Sequence, residues 1–582
     1  MKRNILFLGC LFFIFSCKSN DDQDFRKLTD AYFQDKNELE PLNATLNGQN
    51  QYNDQFVFEM TNSYRKKQAN FVNKYQKKLD SIPFDSLDEE EQLSYGIIKW
   101  ETNILKDVLK TRANLMPLHQ FWGTHLTMTQ FASGTGAQPF KTEKDYRNFL
   151  KRIDNYSVWI DSAIVYMRKG IKEKRVLPKA LTLKVIPQFE EQITKKVENN
   201  IFYSSLGMFP KNLSATVKKE LQQDFSQSIQ HKLIPQYKKM VRFLRNEYLP
   251  ASRNSSGIGS LPDGGNLYRL YAKMWTTTDK SPEAIHQLGL LEVARIKDQM
   301  QKIKKAVGFK GNMTAFFEYV RNKKELIPFV KPEQVIANFK AIHEKIKPNV
   351  NKLFSLQPKT PFEVRRVEVF REKTASAEYV QGSADGSRPG IFYVPIPDVM
   401  KYNYYGDEDL FLHEAIPGHH FQIALQQENT KLPDFRRFNW FGAYGEGWAL
   451  YTESLGKELG LYQDPYQYFG MLGNEMHRAI RLVVDTGLHY KGWTREQAIQ
   501  YSLENEAESK TSIISEIERY MAVPGQALSY KIGQLKIIEL RERAQAQMKE
   551  KFDIKVFHQK VLESGVLPLS LLEAKIEKWV KN

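Results

Sequence analysis

Cysteine is nearly absent from this chain. Cys10 and Cys17 are the only two among 582 residues. Cys10 falls in a segment expected to be cut away, and Cys17 stands at the expected point of cutting. The rest of the chain has no thiol for a disulfide or a thiolate-bound metal, so its stability must come from core packing. A chain of this length can bury a large core, in more than one lobe. A glycine fingerprint after a strand is also missing, which sets aside nicotinamide and nucleotide chemistry. No Gly-x-Ser-x-Gly elbow occurs, which weakens any serine-hydrolase reading. Neither an internal repeat nor a zinc-finger or RRM-like motif is found. The net charge of +16 falls by two to +14 when Lys2 and Arg3 are removed, and it is interleaved with acids along the chain. That pattern implies a solvated surface, mildly attracted to anionic envelope surfaces, and no nucleic-acid partner.

What is present begins with a leader. Lys2 and Arg3 are followed by an apolar run, Ile5 to Phe15, too short to span a membrane. The run closes in Ile14-Phe15-Ser16-Cys17, which resembles the bacterial lipobox. The expectation is a lipoprotein signal peptide over 1–16 and lipids, palmitate among them, on Cys17, anchoring the protein to a membrane. A polar tether is expected over 17–30. Lys18 stands where an Asp would signal inner-membrane retention, so the outer membrane is favoured. The acidic run from Asp21 resembles a surface-export tether, which leaves the periplasmic and surface faces both open. Nothing in the sequence sets the oligomeric state.

Residues 31–255 are read as an N-terminal helical lobe. Apolar residues recur three and four apart, most clearly from Glu89 to Leu109 and from Leu213 to Leu244. Loops are expected over Gly123 to Pro139 and Ser252 to Gly265. Residues 256–404 are read as a connecting helical region with a small substrate-flanking sheet. Ser281-Pro282-Glu283 offers a serine N-cap and a proline at the first helical position. Val364, Val367 and Val369 suggest one strand, and Gly390 to Val394 another. Pro395 and Pro397 place that second strand at an edge. Residues 405–530 are read as a zinc-binding catalytic core, with a capping box at Thr494 and Gln497, and 531–582 as C-terminal helices. The fold class expected is mainly α, with a small β-sheet near the site.

The chemistry is concentrated in His413-Glu414-Ala415-Ile416-Pro417-Gly418-His419-His420. The familiar His-Glu-x-x-His puts two imidazoles one turn apart beside a carboxylate. Here the spacing is stretched. In an unbroken helix His420 would sit roughly 10.5 Å along the axis from His413, at 1.5 Å per residue. Two nitrogens each about 2.1 Å from one zinc cannot be so far apart. His419 would lie on the wrong side. Pro417 and Gly418 must therefore kink or bulge the helix if a metal is to be held. His419 is favoured as the second ligand, with His420 the alternative. The third ligand is sought in Phe441 to Glu453, where Glu446 stands between Gly445 and Gly447. Glu453, two turns away, is assigned to a histidine partner. Asp407, Glu408 and Asp409 suit the start of the helix that carries His413.

These segments resemble the DUF885 family of bacterial proteins, itself similar to helical zinc metallopeptidases of the gluzincin kind. The similarity runs from Pro41-Leu-Asn-Ala-Thr45 through Tyr268 to Asp279, Glu283 to Gly289 and Gly386 to Tyr393. Its strongest parts are His413 to His420, Gly445 to Tyr451, Arg481 to His489 and Arg519 to Tyr530. The resemblance implies a large helical metallopeptidase-like fold around a deep cleft. It implies one Zn2+ ion on His413, a following histidine and Glu446, with Glu414 as general base. An oxyanion donor is sought in Tyr530 and His489, with Tyr520 and Tyr451 in reserve. Arg481 and Arg519 are candidates for binding a substrate carboxylate, although Asp485, Glu516 or Glu518 could pair with them instead. His286 is a further candidate for the cleft. Tyr393, on the expected edge strand, is a candidate for flanking an extended substrate.

The function expected is zinc-dependent hydrolysis of peptide bonds in short peptides by a metal-activated water. Two other readings stand beside it. One is a zinc amidase or esterase acting on envelope material, and the other is a catalytically silent, lipid-anchored binding protein.

Overall fold

The computed structural model describes residues 20–369, 372, 375–383 and 388–581. The expected signal peptide, the lipidation site Cys17 and the pair Gly386-Ser387 lie outside the described residues. The fold is mainly α, with one three-stranded sheet. No described helix is long and apolar enough to cross a membrane.

Helix α1 (Asn20–Leu39) begins inside the stretch expected to be a polar tether. Phe25 and Leu28 are buried there, so from Phe25 onward the stretch belongs to a core. The polar composition hid an apolar pair three residues apart. Helix α2 (Glu89–Lys110) starts at a capping box between Asp88 and Glu91 and follows the expected Glu89 to Leu109 pattern. Helix α3 (Glu143–Lys172) is the spine of the smaller of two cores. The loop expected over Gly123 to Pro139 contains a helix, Thr124–Ala132, whose buried Met128 and Phe131 outweigh the surrounding turn residues. The Leu213 to Leu244 stretch is helical from Ala215 through Phe243.

The smaller core gathers residues from Met60 to Tyr248 and is rich in aromatics: Phe149, Tyr156, Trp159, Phe202 and Tyr237 among them. The larger core joins α1 and α2 to everything from Ile258 to Ile576. Residues of the 31–255 segment therefore enter both cores.

Helix α4 (Pro282–Ala306) starts as expected, with Ser281 accepting from the Ala284 N–H at 3.2 Å. The sheet follows: β1 (Phe362–Arg366), β2 (Glu378–Val380) and β3 (Gly390–Val394). The strand order is β1-β3-β2, with β1 parallel and β2 antiparallel to β3. This corrects the expectation for Gly390 to Val394, which is the central strand. Pro395 falls just past its end and interrupts no pairing, while Ile391, Phe392 and Val394 are buried as a central strand requires. The edge strands are β1 and β2, and of these β2 carries residues that line the cavity described below.

The remaining helices position the site. They are α5 (Asp407–Glu414), α6 (His419–Glu428), α7 (Gly442–Ser454), α8 (Pro465–His489), α9 (Lys510–Ala522) and α10 (Ser529–Met548). Between α7 and α10 the backbones touch. A Cβ on Gly447 would lie 2.5 Å from backbone atoms of Gly533, so glycine is required for this approach.

Candidate metal centre

Helix α5 is fixed at its start by three buried acids. Asp407 accepts from Asn338 at 2.7 Å and Tyr402 at 2.8 Å. Glu408 accepts from Lys345 at 2.8 Å and from the Tyr462 N–H at 2.6 Å. Asp409 accepts from Asn474 at 2.7 Å. Four separate parts of the chain thus converge on one helical turn. Burial pushes the Asp407 carboxyl up to about 8, against the pull of its Tyr402 and Asn338 hydrogen bonds.

The octapeptide breaks the helix in two. Helix α5 ends at Glu414, Ala415 takes φ −111° and ψ −103°, and α6 begins at His419. Pro417 has no N–H to continue the helical ladder. Gly418 passes so close to α5 that a Cβ would lie 1.9 Å from the His413 carbonyl oxygen. A break leaves carbonyls unpaired, and buried ones need partners. Helix α7 supplies them: Trp448 Nε1 donates to the Pro417 carbonyl at 2.8 Å, and the Thr452 hydroxyl to the Leu412 carbonyl at 2.9 Å.

The same helix carries Glu446. His413 Nε2 lies 3.7 Å and His419 Nε2 3.5 Å from Glu446 Oε2. Two donors each about 2.1 Å from a tetrahedral zinc stand roughly 3.4 Å apart. The two histidine-to-Glu446 spacings are close to that value, and the three ligand atoms all lie within 4.8 Å of one another. Two imidazoles and a carboxylate form a donor set suited to Zn2+. His413 Nδ1–H donates to Glu453 at 2.7 Å, which turns the Nε2 lone pair toward the cluster. His419 has no matching partner, and its buried Nδ1 is unpaired among the described residues.

His420 turns away. Its ring packs against Phe362, and its Nδ1 meets the Tyr379 hydroxyl at 3.1 Å. Burial lowers its pKa to about 4. Charge balance also favours a cation in the cluster. Burial opposes a charged His413, yet Glu446 and Glu453 hold its pKa well above the ordinary value. Burial raises Glu414, while the nearby imidazoles and the Tyr379 backbone N–H pull the other way.

A cavity of about 580 Å³ opens on this cluster. Its walls include Glu414, the β2 residues Glu378 and Tyr379, Trp440, Tyr530, Arg481 and Arg519. A larger hollow, about 690 Å³, lies beside Glu40, Glu59 and Trp122 but gathers no cluster able to hold a metal among the described residues. Donor chemistry decides the site here, and volume does not.

The other expected site residues divide. Tyr530 faces the cavity, and its hydroxyl has no hydrogen-bond partner among the described residues. His489 does not reach the cavity. It is fully buried, Nδ1 accepting from the Ile258 N–H and Nε2 donating to the Tyr520 carbonyl, each at 3.0 Å. With both nitrogens engaged it is a structural residue, which corrects the expectation of an oxyanion donor. Tyr520 bridges Arg481 and Glu516, Tyr451 bonds His558, and His286 bonds Thr486. Tyr393 lies on the central strand opposite Glu378 and Arg365, and the cavity wall is formed by β2 instead. Arg519 pairs with Glu516 at 3.2 Å and donates to Gln526 at 2.8 Å.

Arg478, His477 and Asn474 also line the cavity, and the sequence reading passed them over. Their signal was the α8 periodicity: positions 474, 477, 478 and 481 share one helical face. Tyr379 was missed because three residues make too short a strand to register.

A family model described as a bacterial protein of unknown function (DUF885) matches residues 41–576. Among solved structures, a candidate lipoprotein from Colwellia psychrerythraea superposes with a TM-score of 0.86 and is 28% identical. That match covers 97% of this chain and 99% of the other. A second, a candidate lipoprotein of unknown function from Shewanella oneidensis, has a TM-score of 0.73 at 21% identity. It covers 94% of this chain and 99% of the other. Among curated proteins none matches.

Proposed function

The chain belongs to the DUF885 family, which brings no activity with it, and on the chemistry of the site we propose a zinc-dependent hydrolase of peptide bonds in short peptides. The observation that carries this reading is one cavity holding both a ligand set and a base. His413, His419 and Glu446 converge at donor spacing, and Glu414 opens into the same space. A zinc ion held by these three residues supplies a Lewis acid and lowers the pKa of a water beside it.

The chain's own groups do the rest. Glu414 accepts the proton of the attacking water and returns it to the leaving amine. Burial already raises its proton affinity, as a base that must also donate requires. The Tyr530 hydroxyl donates to the oxygen that gains charge as the carbonyl is attacked. The open side of β2 offers backbone N–H and C=O groups to an extended substrate, a role first expected of Gly390 to Val394. Glu453 holds His413 in the tautomer that leaves Nε2 free.

A purely structural zinc site has no use for a base beside it, so Glu414 also favours a hydrolase over a silent binder. Peptides fit the β2 edge better than amide or ester groups lacking a backbone to pair. The lipobox-like Ile14 to Cys17 and the likeness to a candidate lipoprotein support a lipid anchor on Cys17. Lys18 favours the outer membrane.

The test is direct. Purified protein is assayed for bound zinc and for cleavage of a broad peptide library, with and without the metal. One zinc per chain and metal-dependent cleavage are expected. Zinc-loaded protein that cleaves nothing, behaving as the metal-free form does, removes the reading. Incorporation of labelled palmitate, abolished by Cys17→Ser, tests the anchor.

A further inference from the structure

The cavity that holds the ligand cluster is also lined by an arginine whose hydrogen bonding is incomplete. Arg481, on α8, is 4% exposed. Its Nε donates to the Tyr520 hydroxyl at 3.0 Å. Its Nη2 donates to Glu516 at 2.9 Å and to His477 Nε2 at 3.2 Å. Its Nη1 is buried with no partner among the described residues. A buried guanidinium nitrogen without an acceptor is costly, and folded proteins rarely leave one unpaired. A small shift of the side chain into the cavity would let an anion or a carbonyl from outside supply the acceptor it lacks.

Arg478 lies one turn earlier on the same face. It makes no hydrogen bond or ion pair to any described residue, and its buried Nε is also unpaired. Both guanidiniums lie against the Tyr530 ring, Arg481 at 4.5 Å and Arg478 at 5.7 Å from its centroid. Glu516, the acid within bonding distance, is already shared by Arg481, Arg519 and Tyr520. Other acids stand nearby: Glu508 is exposed, Glu506 is bonded to His477, and Asp409 is close enough to Arg478 to feel its charge. Two forks of N–H groups beside a tyrosine make a receptor for a planar, bidentate anion, and a carboxylate has that shape.

We propose that Arg481 Nη1 and Arg478 form a carboxylate subsite in the catalytic cavity, which takes the free C-terminus of the substrate and makes the enzyme cleave from the carboxyl end. This rests on the peptidase reading above. Because Tyr530 touches both guanidiniums, the carboxylate is held next to the oxyanion donor. The scissile bond then lies within a residue or so of the substrate's end. An acidic side chain near that bond offers the same chemistry, and the test separates the two sources.

Three matched peptides are compared: a free acid, its C-terminal amide, and an amide carrying Glu at the last position. The expected result is kcat/KM at least about 30-fold higher for the free acid than for the plain amide. In Arg478→Gln that ratio collapses toward one while zinc content is kept. Arg481→Gln should do the same, and Arg478→Gln stands in for it if the buried variant does not fold. Recovery with the Glu-bearing amide alone assigns the subsite to an acidic side chain and overturns C-terminal cleavage. Equal turnover of acid and plain amide overturns the subsite. Binding is measured separately by calorimetry on the zinc-loaded Glu414→Gln protein. There, selective binding of the free acid upholds the subsite even if no peptide is ever cleaved, and equal binding of acid and amide removes it.

Discussion

Two buried arginines, one in each half of the molecule, show how differently the halves are built. Arg152 of α3 is fully buried, and all three of its nitrogens have acceptors: the carbonyls of Gln55, Pro41 and Tyr52, and the side chains of Gln138 and Thr45. It ties the residue 41–55 segment to α3 and is complete without a ligand. Arg481 is nearly as buried and leaves Nη1 unpaired among the described residues. The same side chain is a complete structural clamp in one place and, on the proposal above, a receptor in the other. Burial does not distinguish them, but a tally of hydrogen-bond partners does.

The contrast extends to the cores around them. The smaller core is a pack of aromatic rings, such as Phe202 stacked on Phe149 and Tyr156. The larger core lies around Glu414, Glu446 and Asp409, carboxyls that burial disfavours when charged and that need polar or cationic partners. Changes in one core should therefore leave the other's property intact.

The sharpest cut is Glu414→Gln. Turnover should fall about 10³-fold, near 4 kcal/mol of transition-state stabilisation, with zinc retained and the melting profile unchanged. Activity above a tenth of the parent's would remove Glu414 as the base. Phe202→Ala tests the other half. It should cost about 3–5 kcal/mol of stability in denaturant titration while equilibrium dialysis still finds one zinc per chain. A site that empties at the same time would show that the two cores respond as one. Glu453→Gln probes the support behind His413, and zinc affinity should drop about 10–100-fold. An unchanged dissociation constant would mean His413 needs no such support.

The gentlest test is acid. Burial lowers His125 of the smaller core to about 4, and His489 and His558 of the larger core to about 3. Their folded-state pKa values lie below the ordinary 6.5, so the unfolded chain takes up protons that the folded chain refuses. The stability they contribute is present above pH 6.5 and is lost as the pH falls toward 4 and 3. Each contributes roughly 1.4 kcal/mol per pH unit in that window. His558→Gln should flatten the denaturant midpoint's fall between pH 6.5 and 5 by about one proton's worth, and an identical slope would count against it.

Much of this was legible beforehand, for local reasons. The caps at Ser281 and Thr494 and the periodicity of α2 are written in adjacent residues. The octapeptide and Glu446 announced a donor set by residue type. Helix arithmetic also required a distortion at Pro417 and Gly418. Its form could not be read there, because a complete break is tolerable only where Trp448 and Thr452 satisfy the freed carbonyls. His489 looked like a site residue because a polar group in a family-like segment gives no hint of its depth. The place of β3 was misjudged since a proline after a strand says nothing about neighbours that pair before it. Arg478 was overlooked because its distinction is the lack of a hydrogen-bond partner among the described residues, which only three dimensions reveal.

The seat of Gly418 against the His413 carbonyl carries a historical consequence. Moving from this ligand spacing to that of an unbroken helix takes the loss of two residues between Glu414 and His419. It also takes new employment for Trp448 and Thr452, and no single substitution achieves it. Any replacement at Gly418 meets backbone oxygen before it can begin. The two spacings are separate basins in sequence space, reached by different routes to one set of donors. A search for metal sites that steps along a helix by fours will pass over every protein in this basin.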